Sequence, residues 1–441
     1  MKKRFLTLAM ALSCVIALTF AVAGCSGGGN SGDNTDGNDT HEHVFATEWS
    51  YDATHHWHEC LSPDCDEVTD KANHSFDGKE CTVCGYVKAS EGLAFELNAD
   101  GTSYILAGIG ECTDTDVVVP ATYENLPVTE IKMSAFQRKP ITSIIIPDSV
   151  TTVGTNVFWG CTNLVSVTLS KNITSIGLNT FRDCTSLTSL TIPEGVTTIA
   201  KNAFYSCTKL ERLDIPASIT TINEAFTNCK IKEVNVADIG TWCNITFSNT
   251  NSNPLFYCNA NLLLNDEIVT DLVIPNGVTE IKDFVFNYKY NTPNTTIKSV
   301  TIPSSLTKIA GQAFTNLNGI EKINVTDIAT WCRIDFAGSS NPLTNGAKLY
   351  VDGEMITELV IPEGVTTISK FAFQYCSQLT SVTLPSTLTT IGEQAFYNCT
   401  ALTDIHFNGT TSKWNGITKN NQWLNPTDKC TIHCTNGKLK P

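Results

Sequence analysis

The chain has 441 residues, with 29 Lys+Arg against 44 Asp+Glu and a formal charge of -15, a balance that repels nucleic-acid phosphates and acidic lipid surfaces and excludes a nucleic-acid binder. Its length is enough for two or three domains with a sizeable core. The 18 cysteines exceed ordinary usage but fall short of a disulfide-built miniprotein, so their positions must decide between bridges, metal ligands and core thiols.

Lys2, Lys3 and Arg4 precede an apolar run from Phe5 to Ala23, which ends in Val22-Ala23-Gly24-Cys25. A charged start, an apolar middle and a small-residue end make residues 1–24 an export signal. The end resembles the lipobox of bacterial lipoproteins, whose cysteine becomes the acylated first residue of the mature chain. That resemblance implies lipidation at Cys25 and a bacterial cell surface held by a lipid anchor alone; an ordinary secretory signal or an uncleaved anchor are the alternatives. Residues 25–40 follow, and from Ser26 to Thr40 they contain no apolar side chain. They read as a flexible, hydrated tether.

Residues 41–88 hold six of the eight histidines (His41, His43, His55, His56, His58 and His74) together with Cys60, Cys65, Cys81 and Cys84. Cys81-Thr82-Val83-Cys84-Gly85 is a knuckle in which two thiolates on a tight turn can share a tetrahedral ion. Cys60 and Cys65 supply the partner pair, with His58 and His74 as substitute ligands. The segment resembles small zinc-ribbon-like modules of bacterial surface proteins, through His55-His56-Trp57-His58-Glu59-Cys60 and Cys84-Gly85-Tyr86. Three states fit these donors: one structural zinc ion, two disulfides, or unligated polar surface. Catalytic zinc would need an open position and a base placed beside it, and nothing positions Glu59 or Glu67 for that role.

From about residue 116 the chain repeats. Ile141, Leu164, Leu187 and Leu210 stand 23 apart, as do Phe158, Phe181 and Phe204, and Cys161, Cys184 and Cys207. A fixed period of this size marks a solenoid. In the unit Leu187 to Lys209, Leu190 and Ile192 alternate with Ser189 and Thr191 as a short half-buried strand. Pro193 ends the strand, Val196 and Ile199 return to the core, Ala203 and Phe204 fill it, and Cys207 sits at a turn. This pattern resembles the BspA-type leucine-rich repeat, in at least nine units over roughly 300 residues. The implied fold is a mainly β repeat solenoid, a horseshoe or superhelix of about a dozen coils, with repeats over 117–404, an N-terminal cap at 89–116 and a C-terminal cap at 405–441.

Two extended cassettes, 231–275 and 320–362, interrupt the rhythm alike: Trp242-Cys243 recurs as Trp331-Cys332, and Asn253-Pro254-Leu255 as Asn341-Pro342-Leu343. Asn265-Asp266 and Asp352-Gly353 predict a hairpin at the edge of each. Duplication explains both.

The exposed strand positions include Ser189 and Thr191, Arg212 and Asp214, Glu233 and Asn235, Ser299 and Thr301, and Lys322 and Asn324. Twelve or so strands at about 4.8 Å spacing make a sheet on the order of 55 Å long, broad enough for a protein or an extended glycan. No histidine occurs between His74 and His406, and no phosphate loop or nucleophile elbow is present, so the chain does not read as an enzyme. The family resemblance implies adhesion to host matrix or other cells through an extracellular protein or glycan. A structural scaffold of the bacterial envelope, holding wall polysaccharide or another exported protein, is the alternative.

Overall fold

The computed structural model describes residues 43–63, 65–290, 294–338, 340–425 and 430–440. Cys25, the signal and the tether lie outside them. Among the described residues no helix is long and apolar enough to cross a membrane. The chain divides into two compact units, at Lys88 and Ala89.

The first unit is built from short strands: β1 (Ser50–Tyr51), β2 (His55–Glu59), β3 (Val68–Asn73), β4 (Phe76–Asp77) and β5 (Glu80–Cys81). β1, β2 and β3 form an antiparallel sheet and β4 pairs with β5. The Asp52 carboxylate closes the β1–β2 turn by accepting the N–H groups of Thr54 and His55, each at 2.7 Å. Rings take the place of an aliphatic core: Trp49 stacks on His58 at 3.9 Å and His74 on Tyr86 at 4.5 Å between centroids. A unit this small cannot bury enough apolar surface to be stable on that basis alone.

The second unit opens with a hairpin, Ala94–Leu97 against Tyr104–Gly108, whose second strand pairs in parallel with Leu126–Ile131. From there a mainly β solenoid of about a dozen turns follows. Each turn carries two ladders. The first is the alternating strand: in Arg212–Ile215 and Glu233–Val236, Leu213, Ile215, Val234 and Val236 are buried while their neighbours are half-exposed. The second is a two-residue strand such as Ser175–Ile176, Thr198–Ile199 or Thr221–Ile222, paired in parallel through a hydroxyl residue and an isoleucine. Sequence reading gave this segment only a return to the core; its β-branched pairs suit a pleated surface.

Between the ladders the phenylalanines stack. Phe136, Phe158, Phe181, Phe204 and Phe226 form a column with centroids 5.7, 5.3, 5.5 and 5.6 Å apart. Behind it runs a column of thiols. The Sγ atoms of Cys161, Cys184, Cys207 and Cys229 donate to the carbonyls of Phe136, Phe158, Phe181 and Phe204 at 3.0, 3.1, 3.0 and 2.9 Å, each reaching the turn before its own. Leu317 occupies the same position and is fully buried. Ser170, where most coils have proline, is buried and donates to the Val150 carbonyl at 2.5 Å.

The strand face is not one long sheet. It is divided into the segments Asp116–Val118 to Ser166–Thr168, Arg212–Ile215 to Glu267–Ile268, Asp271–Val273 to Glu354–Met355, and Glu358–Val360 to Gly437–Leu439. The continuous 55 Å strip expected from the strand count is corrected accordingly. In the second and third segments an antiparallel return strand, Glu267–Ile268 or Glu354–Met355, takes the edge, so the next coil cannot continue that ladder, and Gly437–Leu439 returns in the same way in the fourth. The coil at Ser189 and Thr191 forms only a single bridge, Thr191 to Asp214.

Both cassettes form the lengthened coil and hairpin. Helices Ile239–Cys243 and Ile328–Trp331 start at the aspartate caps Asp238 and Asp327. Trp242 Nε1 donates to the Val285 carbonyl at 3.2 Å and Trp331 Nε1 to the Ala372 carbonyl at 2.9 Å. Asn253 Nδ2 meets the carbonyls of Phe284 and Val285 at 2.6 and 3.0 Å; Asn341 Nδ2 meets those of Phe371 and Ala372 at 2.7 and 3.0 Å. The hairpin turns have positive φ at both central residues, Asn265 with Asp266 and Asp352 with Gly353, the geometry that matches strand twist. The end of the chain is built in the same way: helix Thr411–Gly416 with a buried Trp414, then Thr431–Cys434 returning as Gly437–Leu439. Sequence reading gave residues 405–441 as a C-terminal cap, without its helix or its return strand.

Candidate metal centre and solenoid surface

The four module cysteines do not converge on one point. They fall into two groups: His56, His74, Cys81 and Cys84, and His43, Cys60 and Cys65, with one donor atom from each residue lying within 4.8 Å of the others in its group. The single site expected from the cysteine spacing is corrected by the β-hairpin that separates the pairs. Cys60 follows β2 and pairs with Phe45, whereas Cys81 ends β5 and pairs with Phe76.

In the first group β2 supplies His56, the turn after β3 supplies His74, the end of β5 supplies Cys81 and the tight turn after it supplies Cys84. That turn closes with the Gly85 N–H donating to the Cys81 carbonyl at 2.9 Å, with Gly85 at φ 73°. Cys84 Sγ lies 3.3 Å from His74 Nδ1, and Cys81 Sγ lies 3.9 Å from His56 Nδ1. Tetrahedral bonds of about 2.3 Å to sulfur and 2.0–2.1 Å to nitrogen imply sulfur–nitrogen edges of about 3.5 Å, and the observed edges bracket that value. His74 Nε2 lies 2.9 Å from the Asp52 carbonyl, the outer contact that orients a ligating imidazole. Burial pushes the Cys81 thiol up, but the N–H groups of Cys84 and Val83 and the His74 ring outweigh it and hold it at about 5. Burial and the neighbouring Cys81 thiolate push Cys84 up.

In the second group His43 Nδ1 lies 3.5 Å from Cys60 Sγ and 3.3 Å from Cys65 Sγ. Burial again pushes the Cys60 thiol up, and it is outweighed by the Ser62 N–H and the His43 ring, which bring it to about 6. His58, named as a substitute ligand, is in neither group: its Nδ1 meets the Glu48 carbonyl at 3.0 Å. His56 and His43 were present in the sequence window but went unassigned. His56 and His58 stand two residues apart on β2, and the register against β3 shifts between them.

On the solenoid the ten strand-face residues differ in availability. Ser189, Thr191 and Lys322 are exposed, whereas Thr301, Asn324, Arg212, Asp214, Glu233 and Asn235 are half-buried. Ser299 is buried and donates to Asp271 at 2.6 Å. Arg212 is engaged by three acids, Asp214 at 2.7 Å, Glu233 at 3.8 Å and Asp266 of the hairpin turn, and hydrogen bonds to Asp214 and Asp266 raise its pKa. Asn235 links Asp214 to the Asp266 N–H at 2.9 and 3.0 Å. This cluster locks the first hairpin to the strand face. Lys322 lies 5.3 Å over the Tyr350 ring and stands in one row with Ser299 and Lys348, next to the row Thr301, Asn324 and Tyr350. Sequence reading did not anticipate a 680 Å³ groove on the short-strand face, lined by residues including Asp335, Ser369, Lys370, Thr390 and Glu393.

A mainly β solenoid whose stacked coils each add one residue to shared buried columns of phenylalanine and cysteine is consistent with a leucine-rich-repeat protein. Residues 129–253, 259–341 and 346–419 match the BspA type leucine rich repeat region in six copies, and the chain belongs to that family. Solved structures similar to it include a leucine rich cell surface protein from Faecalibacterium prausnitzii, 25% identical over 79% of this chain and 98% of that one with a TM-score of 0.31. A leucine-rich-repeat protein from Bacteroides ovatus is 19% identical over 78% and 98%, with a TM-score of 0.38. The T. pallidum leucine rich repeat protein is 20% identical over 53% and 83%, with a TM-score of 0.32. No curated protein matches the chain.

Proposed function

We propose that the protein is an exported adhesin: anchored through a lipid on Cys25, raised by the 25–40 tether, stapled by zinc in its 41–88 module, and binding an extracellular protein or glycan through the leucine-rich-repeat surface without catalysing a reaction. The observation that carries the binding role is the in-register strand face. Parallel pairing sets the exposed Lys322 beside the half-buried Lys348 in one row, and the half-buried Thr301, Asn324 and Tyr350 in the next, at about 4.8 Å per step. Such rows offer repeated donors and acceptors to an extended partner, and membership of the repeat family supports the same use of the fold.

The test is capture of matrix proteins, mucin and partner cells by the exported chain. Binding that Lys322→Glu with Asn324→Asp weakens at least tenfold supports the reading. Absence of binding to all three ligands, or binding indifferent to every strand-face substitution, overturns it. The zinc is supported by the His56, His74, Cys81 and Cys84 geometry. A chain carrying no zinc, with these thiols oxidised, removes it.

A further inference from the structure

The two Cys/His groups are built on one plan. His43-Val44-Phe45 leads to Cys60 and Cys65, and His74-Ser75-Phe76 leads to Cys81 and Cys84. In both, the phenylalanine is paired antiparallel with the first cysteine, Phe45 with Cys60 and Phe76 with Cys81. In both, the residue after that cysteine donates its N–H to the residue before the phenylalanine, Leu61 to Val44 at 2.7 Å and Thr82 to Ser75 at 2.8 Å. The histidine Nδ1 then stands over a thiol at the same distance, His43 to Cys65 and His74 to Cys84, each at 3.3 Å.

From this we infer that the module holds two zinc ions, the second bound by His43, Cys60 and Cys65. The inference goes beyond the single staple proposed above. His43 Nδ1 lies 3.5 and 3.3 Å from the two sulfurs, matching the roughly 3.5 Å edges of a tetrahedron with zinc at its centre. Two thiolates and an imidazole suit zinc over calcium, magnesium or manganese. Three protein donors with a fourth position held by water or one further side chain is an established zinc coordination. On binding, each thiol releases its proton to solvent and the sulfur lone pair is donated to the metal, with no oxidation. The second ion ties the start of the module, at His43, to the loop from Cys60 to Cys65. In the other half His74 is tied in the same way to the Cys81–Cys84 turn, with His56 added from β2.

The experiment is native mass spectrometry and zinc quantification of the exported chain, with alkylation of its thiols under native conditions. The expected result is two zinc ions per chain, with Cys60, Cys65, Cys81 and Cys84 all reduced and protected. Cys60→Ser with Cys65→Ser lowers the count to one while Cys81 and Cys84 stay protected, which shows that the other half still folds. His43→Ala weakens the second ion at least tenfold, and His58→Ala leaves both in place. One zinc, with Cys60 and Cys65 in a disulfide or open to alkylation, overturns the second site alone. No zinc at all overturns both sites.

Discussion

At the scale of single residues, the recurring cysteine has the clearest physical account. A position met once per turn faces the same way in every turn, and here it is a buried thiol donating back to the previous phenylalanine carbonyl. Burial pushes Cys161 up to about 11 and Cys399 up to about 12, so these thiols stay protonated and inert at neutral pH. A thiol reagent is expected to leave the column unmodified in the native chain and to reach it only after unfolding, which a time course of modification mapped by peptide mass checks. Cys207→Ala removes a sulfur and leaves a small void; the Phe181 carbonyl keeps the Cys184 N–H at 3.1 Å. The expected destabilisation is about 1–2 kcal/mol, measured by denaturant unfolding. This position was legible in the sequence because its spacing is constant. The candidate metal ligands were only half legible: the thiol pairs were visible as pairs, but which pair meets which histidine depends on the β2–β3 register and its bulge, which spacing does not encode.

At the scale of elements, the cassettes show how an interruption is accommodated. In ordinary coils the Phe turn donates backbone N–H groups to the carbonyls of the next coil, as Phe136 does to Val157; in each cassette one tryptophan and one asparagine side chain bond the next coil's carbonyls instead, Phe284 and Val285 after the first and Phe371 and Ala372 after the second. Asn341→Ala leaves the Phe371 carbonyl and the Leu343 N–H without that side chain. A loss of about 2 kcal/mol is expected, and Asn253→Ala should lose a similar amount by thermal unfolding. Asp327 accepts the N–H groups of Ala329 and Thr330 at 3.0 and 2.9 Å. Burial opposes its charge, but these bonds and the Thr330 hydroxyl outweigh it and hold its pKa below the ordinary carboxylate value. A lowered folded pKa means the cap's contribution is fully present above about pH 4 and fades as pH falls through the folded value. Asp327→Asn keeps an acceptor without a charge and should flatten the acid limb of a stability profile, while Asp327→Ala should remove about 1 kcal/mol near neutrality. The hairpin turns were legible from Asn265-Asp266 and Asp352-Gly353. The segmentation of the strand face was not, because it arises only when a return strand occupies an edge. The third cassette-like end was hidden because it keeps the tryptophan but not the Trp-Cys pair.

At the scale of the whole chain, the two units rest on different physics. The solenoid has a continuous apolar core running from Leu93 to Ile432, and its stability is close to a sum over neighbouring turns. The module has rings and sulfur instead. Chelation is therefore expected to abolish amide protection in residues 43–88 and leave the solenoid's unfolding midpoint unchanged, as hydrogen exchange with and without a chelator will show. A fall in the midpoint of the solenoid on chelation would contradict this division.

The duplicated cassettes have a consequence for how such a chain can change its length. Asn253 and Asn341 hold equivalent carbonyls, and both are followed by Pro-Leu, so joining Asn253 directly to Pro342 recreates a native junction. A crossover between the two copies removes 88 residues and would bring Glu233–Val236 beside Lys348–Val351 in place of Asn261–Leu264. The shortened chain should fold with the same helical and sheet signature and present a shorter strand face. In such a lineage reach would evolve by whole cassettes, as a rope is shortened by its knots rather than by its fibres.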